Sequence, residues 1–307
     1  MQAIQYLTYA SLVIAFAAMI AKAMRYFTAP QHFRWELYPV PHEKGRAEYG
    51  GSYLEELDWW TKPRHSDKLN ELKEMMAEII FLKGVRHHNK KVWNFSFPFH
   101  FGLYMCIGWL MLLLLSAILQ FADISVSTNG AVLGSIIYYA TIICGYGGLV
   151  LAGIGALGLF FWRMSDSNQK AYNAPADFIN LILFVIVVGV TLFSQYTLDP
   201  GFGYLRGYVH SLISFSPMTS PGTIFTVEIA LVSLLIMYIP LTKMSHFVAK
   251  YFLYHTVRWN DEPNFRGSDI EKNILALLQH KVGWSAPHIQ TGQPWSEVVK
   301  EMKNEKE

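Results

Sequence analysis

Two of the eleven histidines belong to the long apolar stretches of the chain. His100 lies near the start of the second stretch, and His246 lies at the end of the fifth. In a membrane protein with five spans, the second and fifth run in opposite directions, so both side chains are expected near the same face. Two neutral imidazoles placed across a helical bundle can bind haem iron from both sides. They can equally form ordinary hydrogen bonds at the membrane surface, and spacing alone leaves both interpretations open.

Five stretches are long enough to cross a bilayer, which requires about 20 apolar residues. They cover residues 3–24, 99–121, 131–162, 176–198 and 223–241. Hydrophobic residues make up 52% of the 307 residues and charged residues only 16%, whereas soluble domains contain about 25% charged residues. The first stretch has no cationic start and no small-residue cleavage pattern, so we expect it to be retained. The composition therefore predicts an all-α integral membrane protein, a bundle of five transmembrane helices.

The distribution of cationic residues predicts how the bundle is oriented. Residues 25–98 contain twelve Lys or Arg, and the segment after 245 contains eight, whereas residues 199–222 contain only Arg206. Loops rich in Lys and Arg stay on the cytoplasmic side of a membrane. We therefore expect an outside N-terminus, a cytoplasmic C-terminus and a location in the cytoplasmic (inner) membrane. The net charge of +2 gives no reason to expect nucleic-acid binding.

Two large segments outside the spans are expected on the cytoplasmic side. The sequence predicts a membrane domain over 1–246, which includes the first loop (25–98), and a tail over 247–307. Apolar residues on one stripe predict an amphipathic helix near 66–84, and the tail predicts helices near 270–280 and from Trp295. Neither segment has enough apolar residues for a core of its own. We expect both to dock onto a soluble partner, and a loose tail on lipid is the alternative.

Four motifs identify a family that the chain resembles. Arg25 ends the first span in "AKAMRYF", and His100 opens the second in "FHFGLY". Arg163 lies fourteen residues before the Asp177 of "APADFINLIL", and "YIPLTKMSH" ends with His246. Over all five spans, the chain resembles the membrane cytochrome b (gamma) subunit of respiratory nitrate reductases. It is still more similar to relatives in transmembrane redox complexes of sulfate reducers and methanogens, whose partner is a heterodisulfide-reductase-like iron–sulfur protein.

The resemblance implies that His100 and His246 are the axial ligands of one haem b. It also implies that Arg163 pairs with a haem carboxylate, since an arginine fork matches that group. Arg25 could do the same, or it could simply anchor the helix on the positive side of the membrane. The glycines of the third span could admit either a flat macrocycle or a neighbouring helix.

The chain departs from the family at the positions of the second haem. The family ligand ten residues after the first histidine is replaced by Leu110, and the one eighteen residues before the last histidine is replaced by Glu228. Leucine cannot bind iron and glutamate is a poor haem ligand, so we expect one haem only. Eighteen residues make five helical turns, which predicts that Glu228 faces the same side as His246. His210, the remaining histidine of the outer loop, is poorly placed to replace a ligand.

The space of the missing haem is a candidate quinol pocket, lined by Leu110, Trp109, Tyr138 and Tyr139. A quinol that is oxidised there releases protons, and Glu228 could accept one. The alternative is that Glu228, near the start of its span, simply reaches the outer water.

The resemblance therefore implies a membrane subunit of a respiratory oxidoreductase complex. It would pass electrons between menaquinone and a cytoplasmic iron–sulfur subunit bound to the first loop and the tail. An extracytoplasmic multihaem cytochrome c could also dock on the outer loops. A non-redox membrane anchor without haem is the alternative. The chain shows no sequence motif for a nucleophile or a nucleotide loop.

Overall fold

The structure is a computed structural model, and it describes residues 2–28, 43, 45–49, 53–62, 67–167, 173–255, 265–286 and 289–301. The chain is 78% helical, with no strand in the described ranges beyond isolated bridges. Its helices are α1 Gln2–Thr28, α2 Lys68–Ile80, α3 Lys83–His88, α4 Lys90–Gln120, α5 Val132–Ser165, α6 Pro175–Leu198, α7 Gly203–Ile213, α8 Thr223–Leu241, α9 His246–Tyr254, α10 Asp269–Leu278 and α11 Trp295–Glu301. The all-α class is therefore confirmed.

Five of these helices, α1, α4, α5, α6 and α8, are long and apolar enough to cross a membrane. The protein is therefore a multi-pass membrane protein, as the apolar stretches predicted. Four spans match the predicted limits within a few residues, but α4 begins at Lys90 rather than at 99. The side chain of Asn89 caps α4 by accepting from the Val92 amide at 3.1 Å, and Pro98 lies inside the helix. Because of this early start, His100 lies inside α4 rather than at its beginning.

The chain divides into two compact units. Unit 1 contains Met1–Ala18 and Glu78–Met244, and unit 2 contains Met19–Ala77 and Ser245–Glu307. The division runs through α1 and α2, and it differs from the expected division between a membrane domain and a tail at 246. Each unit is described by itself below.

The four long helices of unit 1 run antiparallel to their neighbours in the chain. Contacts join the start of α4 to the end of α5, the end of α5 to the start of α6, and the end of α6 to the start of α8. The first turns of α1 contact α7, where Gln5 Nε2 donates to Ser211 Oγ at 2.8 Å. We call the end that contains α7 and the connection 121–131 the α7 end. The opposite end, with the start of α4 and the end of α8, is the His100 end.

Glycines let α4 and α5 approach each other closely. A Cβ atom on Gly102 would lie 2.4 Å from the Ala152 nitrogen, and one on Gly155 would lie 2.4 Å from the Phe99 nitrogen. Further along α5, Gly158 contacts the ring of Phe95. Of the two roles considered for the glycines of the third span, these contacts show the close packing of helices.

The fifth span ends before His246. α8 stops at Leu241, one residue after Pro240, and Thr242 is extended with φ −120° and ψ −176°. A 3₁₀ turn over Lys243–Ser245 follows, and α9 begins at His246. The expectation that one continuous helix carries Glu228 and His246 in the same phase was therefore wrong. Proline in the last turn of a helix disturbs its hydrogen bonds and favours a stop of this kind.

Most of the elements that the sequence predicted outside the spans belong to unit 2. The helix expected over 66–84 is α2, and Leu82, with φ 51°, separates it from α3. The two predicted tail helices are present as α10 and α11. A small apolar core of Val282, Ile289 and Val298, which was not expected, holds the end of the tail together. Parts of the predicted docking segments, namely 29–42, 44, 50–52, 63–66, 256–264, 287–288 and 302–307, lie outside the described residues.

Candidate functional site

His100 is fixed within its own helix. Its Nδ1 lies 2.7 Å from the carbonyl oxygen of Ser96, one turn earlier in α4, and 3.3 Å from the Ser96 hydroxyl. A ring nitrogen this close to a carbonyl donates a proton, so the neutral ring carries its lone pair on Nε2. The ring also packs edge-to-face on Phe99, whose own ring contacts Phe184 at 5.2 Å between centroids. The tautomer and the ring orientation are thus determined by the backbone and by neighbouring aromatic rings.

His246 belongs to unit 2, whereas His100 belongs to unit 1. It is the first residue of α9 and is exposed. The preceding residue, Ser245, is buried and accepts a hydrogen bond from Lys22 Nζ at 2.6 Å. This contact connects the start of α9 to the second half of α1, within unit 2.

The two candidate arginines have different environments. Arg163, at the end of α5, is half-buried, and its Nη1 donates to the Asp177 carbonyl oxygen at 3.3 Å. This bond accounts for the spacing of fourteen residues between the two, because it connects consecutive helices. Arg25 is exposed near the end of α1 in unit 2. The described residues contain no group of three or more His, Cys, Asp or Glu that could hold a bare metal ion.

Glu228 is the most deeply buried carboxylate of the described spans, with 1% of its surface exposed. The Gln195 amide nitrogen lies 2.8 Å from each carboxylate oxygen, and Gln195 itself is fully buried. The interpretation that Glu228 reaches outer water was therefore wrong. The sequence analysis missed Gln195, although Thr191, Ser194 and Gln195 follow one another at helical spacing and are all buried on one face of α6.

The residues predicted to line a quinol pocket do not share one environment. Trp109 is buried, but Leu110 is 40% and Tyr139 is 54% exposed. Tyr138 lies under the Arg206 guanidinium, whose carbon is 5.3 Å from the ring centroid. The structure thus places Trp109 in the core of unit 1, and Leu110 and Tyr139 on its outer surface.

Phe202, which the sequence analysis did not single out, fills the core beside Trp109. It is fully buried, and its ring lies 5.1 Å from the Trp109 ring and 5.0 Å from the Tyr146 ring. A Cβ on Gly145 would lie 2.7 Å from the Phe202 ring, so this glycine makes room for it. Phe202 comes from the connection before α7 and has a φ of 56°. A loop residue that reaches the core in this way leaves no periodic pattern in the sequence.

Asp199 and Arg206 are the charged side chains that hold α7. Asp199 accepts hydrogen bonds from the Gly203 amide at 2.6 Å and the Leu205 amide at 3.1 Å. Burial raises the pKa of Asp199, although these amides oppose the shift. Burial also lowers the pKa of Arg206, with the charge of Asp199 opposing that change. His210, on the same helix, packs against the Phe121 ring at 4.6 Å.

A polar network joins α1 to this end of unit 1. Thr8 Oγ1 lies 2.8 Å from the Tyr208 hydroxyl and 2.8 Å from the Ser233 hydroxyl. Together with the bond from Gln5 to Ser211, these contacts tie α1, α7 and α8 to one another. Hydrogen bonds between membrane helices contribute about 0.6 to 2 kcal/mol each.

Comparison with known proteins adds no relative to this description. No family model, no curated protein and no solved structure matches the chain. The functional argument therefore depends on the motifs in the sequence and on the geometry described above.

Proposed function

We propose that the chain is the cytochrome b membrane subunit of a respiratory redox complex. It passes electrons between menaquinone and a cytoplasmic iron–sulfur subunit of the heterodisulfide-reductase type, through a single haem b. Support comes from the five spans, from the four motifs shared with the nitrate reductase gamma family, and above all from the hydrogen bond of His100. We propose the cytoplasmic (inner) membrane as its location, because the cationic residues are concentrated in the first loop and the tail.

The hydrogen bond between His100 and Ser96 carries the proposal. Histidines that bind a metal commonly donate their other ring N–H to a carbonyl or carboxylate, which orients the ring and makes it a better ligand. His100 makes this bond at 2.7 Å with Nδ1, the nitrogen that an iron ligand uses for orientation when Nε2 binds. A histidine without haem can make the same bond, so the haem count described below distinguishes the two interpretations. His246 is the proposed second ligand because it ends the family motif "YIPLTKMSH".

The proposal of a single haem is supported by the side-chain packing at the α7 end. Leu110 is exposed there, and Glu228 is already bonded to Gln195. Phe202 and Trp109 pack together in the core between these positions and Gly145. These contacts support a filled core at this end rather than a second macrocycle.

Bound haem b supplies one-electron transfer, and the remaining roles belong to the chain. His100 and His246 hold the group, and Arg163 is proposed to bind one of its carboxylates with the N–H groups not used for Asp177. The same role stays a prediction for Arg25. Glu228 is the proposed acceptor of a quinol proton.

The proposed quinol pocket keeps Trp109, Tyr138, Leu110 and Tyr139 as its candidate residues. Trp109 offers the most specific contact, because its indole N–H is buried without a hydrogen-bond partner in the described part of the chain. A quinone carbonyl is an acceptor that such a donor can bind, and a quinone ring reaches it only if Phe202 moves away from Trp109. The exposed Leu110 and Tyr139 would contact the isoprenoid tail or lipid rather than the ring.

The first loop and the tail are the proposed docking surfaces for the iron–sulfur subunit. The described part of the tail has its own small core and exposes Trp284, and aromatic residues of this kind are common in protein interfaces. An extracytoplasmic multihaem cytochrome c on the outer loops remains a further proposal from the family resemblance.

Counting haem groups tests the function. The purified protein is expected to contain one haem b per chain by the pyridine haemochrome assay, and His100→Ala and His246→Ala should each abolish its absorbance. His210→Ala is the matched control, since His210 packs on Phe121 and should keep the full signal. A chain without haem would support the non-redox anchor instead, and two haems would refute the single-cofactor assignment.

Quinol turnover tests the proton acceptor separately. Glu228→Gln keeps the size of the side chain but cannot accept a proton, so we expect menaquinol-dependent reduction of the haem to slow at least tenfold. Unchanged turnover with full haem content would refute the role of Glu228 and leave the haem assignment in place.

A further inference from the structure

α6 carries a short row of buried polar side chains, and one of them contacts Glu228 of α8. Thr191, Ser194 and Gln195 are fully buried, and the amide of Gln195 holds the Glu228 carboxylate across the two helices. Polar and ionisable residues inside membrane spans are costly and are kept where they bind an ion, a proton or a substrate. Val188 of α6 and Ile229 of α8 belong to one apolar core cluster, so these polar groups lie beside apolar packing.

No cation neutralises Glu228 within the described residues. Gln195 donates hydrogen bonds to it, the Ser194 hydroxyl is its other polar neighbour on α6, and the charged group that acts on it from the end of α6 is Asp199, which is also an acid. From α5 the titratable neighbour is Tyr146, and the cation of α7, Arg206, lies over Tyr138. An unpaired carboxylate in an apolar interior is far costlier than the neutral acid. Within the described residues, the Gln195 amide is therefore the group that stabilises an ionised Glu228.

The Gln195 amide can serve both forms of the acid. Its nitrogen lies 2.8 Å from both carboxylate oxygens and donates to an ionised Glu228. Its own oxygen is buried without a hydrogen-bond partner in the described part of the chain. A half-turn of the amide exchanges nitrogen and oxygen, and the oxygen then accepts the O–H of a protonated Glu228. The same turn gives the amide oxygen the partner that it lacks in the other form.

We propose that Glu228 and Gln195 form a proton-binding pair inside the membrane, in which an ionised Glu228 accepts from the amide nitrogen and a protonated Glu228 donates to the amide oxygen. One proton is bound or released at a carboxylate oxygen, and no other bond changes. Its use for quinol protons rests on the proposed function, whereas proton binding itself does not. Gln195 is a positioning residue, because it acts through Glu228.

Infrared difference spectroscopy of the complete chain in lipid nanodiscs tests the pair. At neutral pH, the spectrum of the wild type minus that of Glu228→Gln should contain a carboxylic-acid carbonyl band that shifts in D₂O. Reversible replacement of this band by carboxylate bands at higher pH is the expected sign of proton release. A difference spectrum with carboxylate bands alone, or a band that stays unchanged at every pH where the protein is folded, overturns the proposal.

Gln195→Met tests the amide. The methionine has a similar length but no amide, so the acid O–H loses its acceptor and the carbonyl band of the acid should shift to higher frequency. Gln5→Met is the matched control, since Gln5 is also a buried amide but bonds to Ser211 and Ser216. If Gln195→Met does not fold, Glu228→Asp withdraws the acid from the amide and should produce the same shift. An unshifted band in the folded variant overturns the role of Gln195.

Haem content measured on the same samples separates this proposal from the proposed function. An acid band without haem supports the proton-binding pair and removes the cytochrome function. Haem without the carboxylic-acid band would refute only the proton-binding pair of Glu228 and Gln195.

Discussion

The α7 end and the His100 end of unit 1 are built on the same antiparallel helices but are closed differently. At the α7 end, Gly145 makes room for a ring from outside the spans, that of Phe202. At the His100 end, Gly155 makes room for the backbone of α4 itself, at Phe99. The α7 end is thus packed by a large side chain from a connection, and the His100 end is packed by direct contact between helices.

Polar groups also differ between the two ends. At the α7 end they bond across helices, as in the pair of Gln195 with Glu228 and the contact of Thr8 with Tyr208. At the His100 end, Arg163 also donates across helices to the Asp177 carbonyl, whereas His100 bonds to the Ser96 carbonyl within its own helix. Bonds between helices fix the position of elements, whereas a bond within one helix orients a ring without using a neighbouring helix.

Phe202→Ala should have the largest effect on stability. Removing a fully buried ring leaves a cavity, and we expect a loss of about 3–5 kcal/mol in the free energy of unfolding. Unfolding by SDS in mixed micelles measures this loss. Phe193→Ala is the control, because that ring is 60% exposed at the surface of α6. Similar losses in the two variants would show that Phe202 does not hold the α7 end, and haem content should remain full in both.

Gly155→Ala should have the next largest effect, at the opposite end. The added Cβ would lie 2.4 Å from the Phe99 nitrogen, and such overpacking costs about 1–3 kcal/mol. Because Phe99 precedes His100, we also expect haem absorbance to fall, unlike in Phe202→Ala. Gly189→Ala meets nothing within 4 Å and should leave both measurements unchanged or slightly improve stability. Full haem content in a destabilised Gly155→Ala variant would show that haem binding does not depend on the close packing of α4 on α5.

Tyr208→Phe should have a smaller effect. The substitution removes the hydroxyl that lies 2.8 Å from Thr8 but keeps the ring, so we expect a loss of about 0.6 to 1 kcal/mol. Tyr204→Phe, on the same helix but exposed, is the matched control. The same SDS titration measures both variants. Equal stabilities would mean that the hydroxyl network does not fasten α1 to the α7 end.

Asp199→Asn should have the smallest effect, which is a change in how the free energy of unfolding depends on pH. Burial raises the pKa of the folded carboxyl above its ordinary value of 3.8, so the folded state binds the proton more tightly than the unfolded state. Its contribution to the free energy of unfolding is therefore fully present below pH 3.8, and it is lost as the pH rises through the pKa of the folded state.

The variant should remove this part of the slope when unfolding is measured across acidic pH. Asp123→Asn, which removes an exposed acid from the other connection at the α7 end, should keep the slope. An unchanged slope in Asp199→Asn would show that the burial of Asp199 has no effect on proton binding.

The spans were predictable because a membrane helix needs a run of apolar residues, and no packing information is required to find one. α8 matched its predicted limits, and α4 did not, because its first turns are polar and depend on the Asn89 cap. α7 was missed because a helix of eleven residues is marginal by itself and is stabilised here by its contacts with α4 and α1.

Some of the candidate site residues could be predicted from the sequence, but their hydrogen-bond partners could not. His100 and Glu228 were visible because histidine and glutamate are rare inside apolar runs. The partner of each was not visible, since Gln195 is thirty-three positions from Glu228 and the Ser96 carbonyl belongs to a backbone that carries no sequence signal. The continuous helix expected up to His246 also failed, because the extended conformation of Thr242 breaks it.

Residue types and run lengths alone established a membrane protein with five spans and its unusual intramembrane residues. Tertiary structure alone decided that Glu228 is buried against an amide, that Phe202 fills the core beside Trp109, and that the glycines of α5 serve helix packing. The physical reason is that hydrophobic length is a property of a segment, whereas burial and hydrogen bonding depend on which distant segments meet.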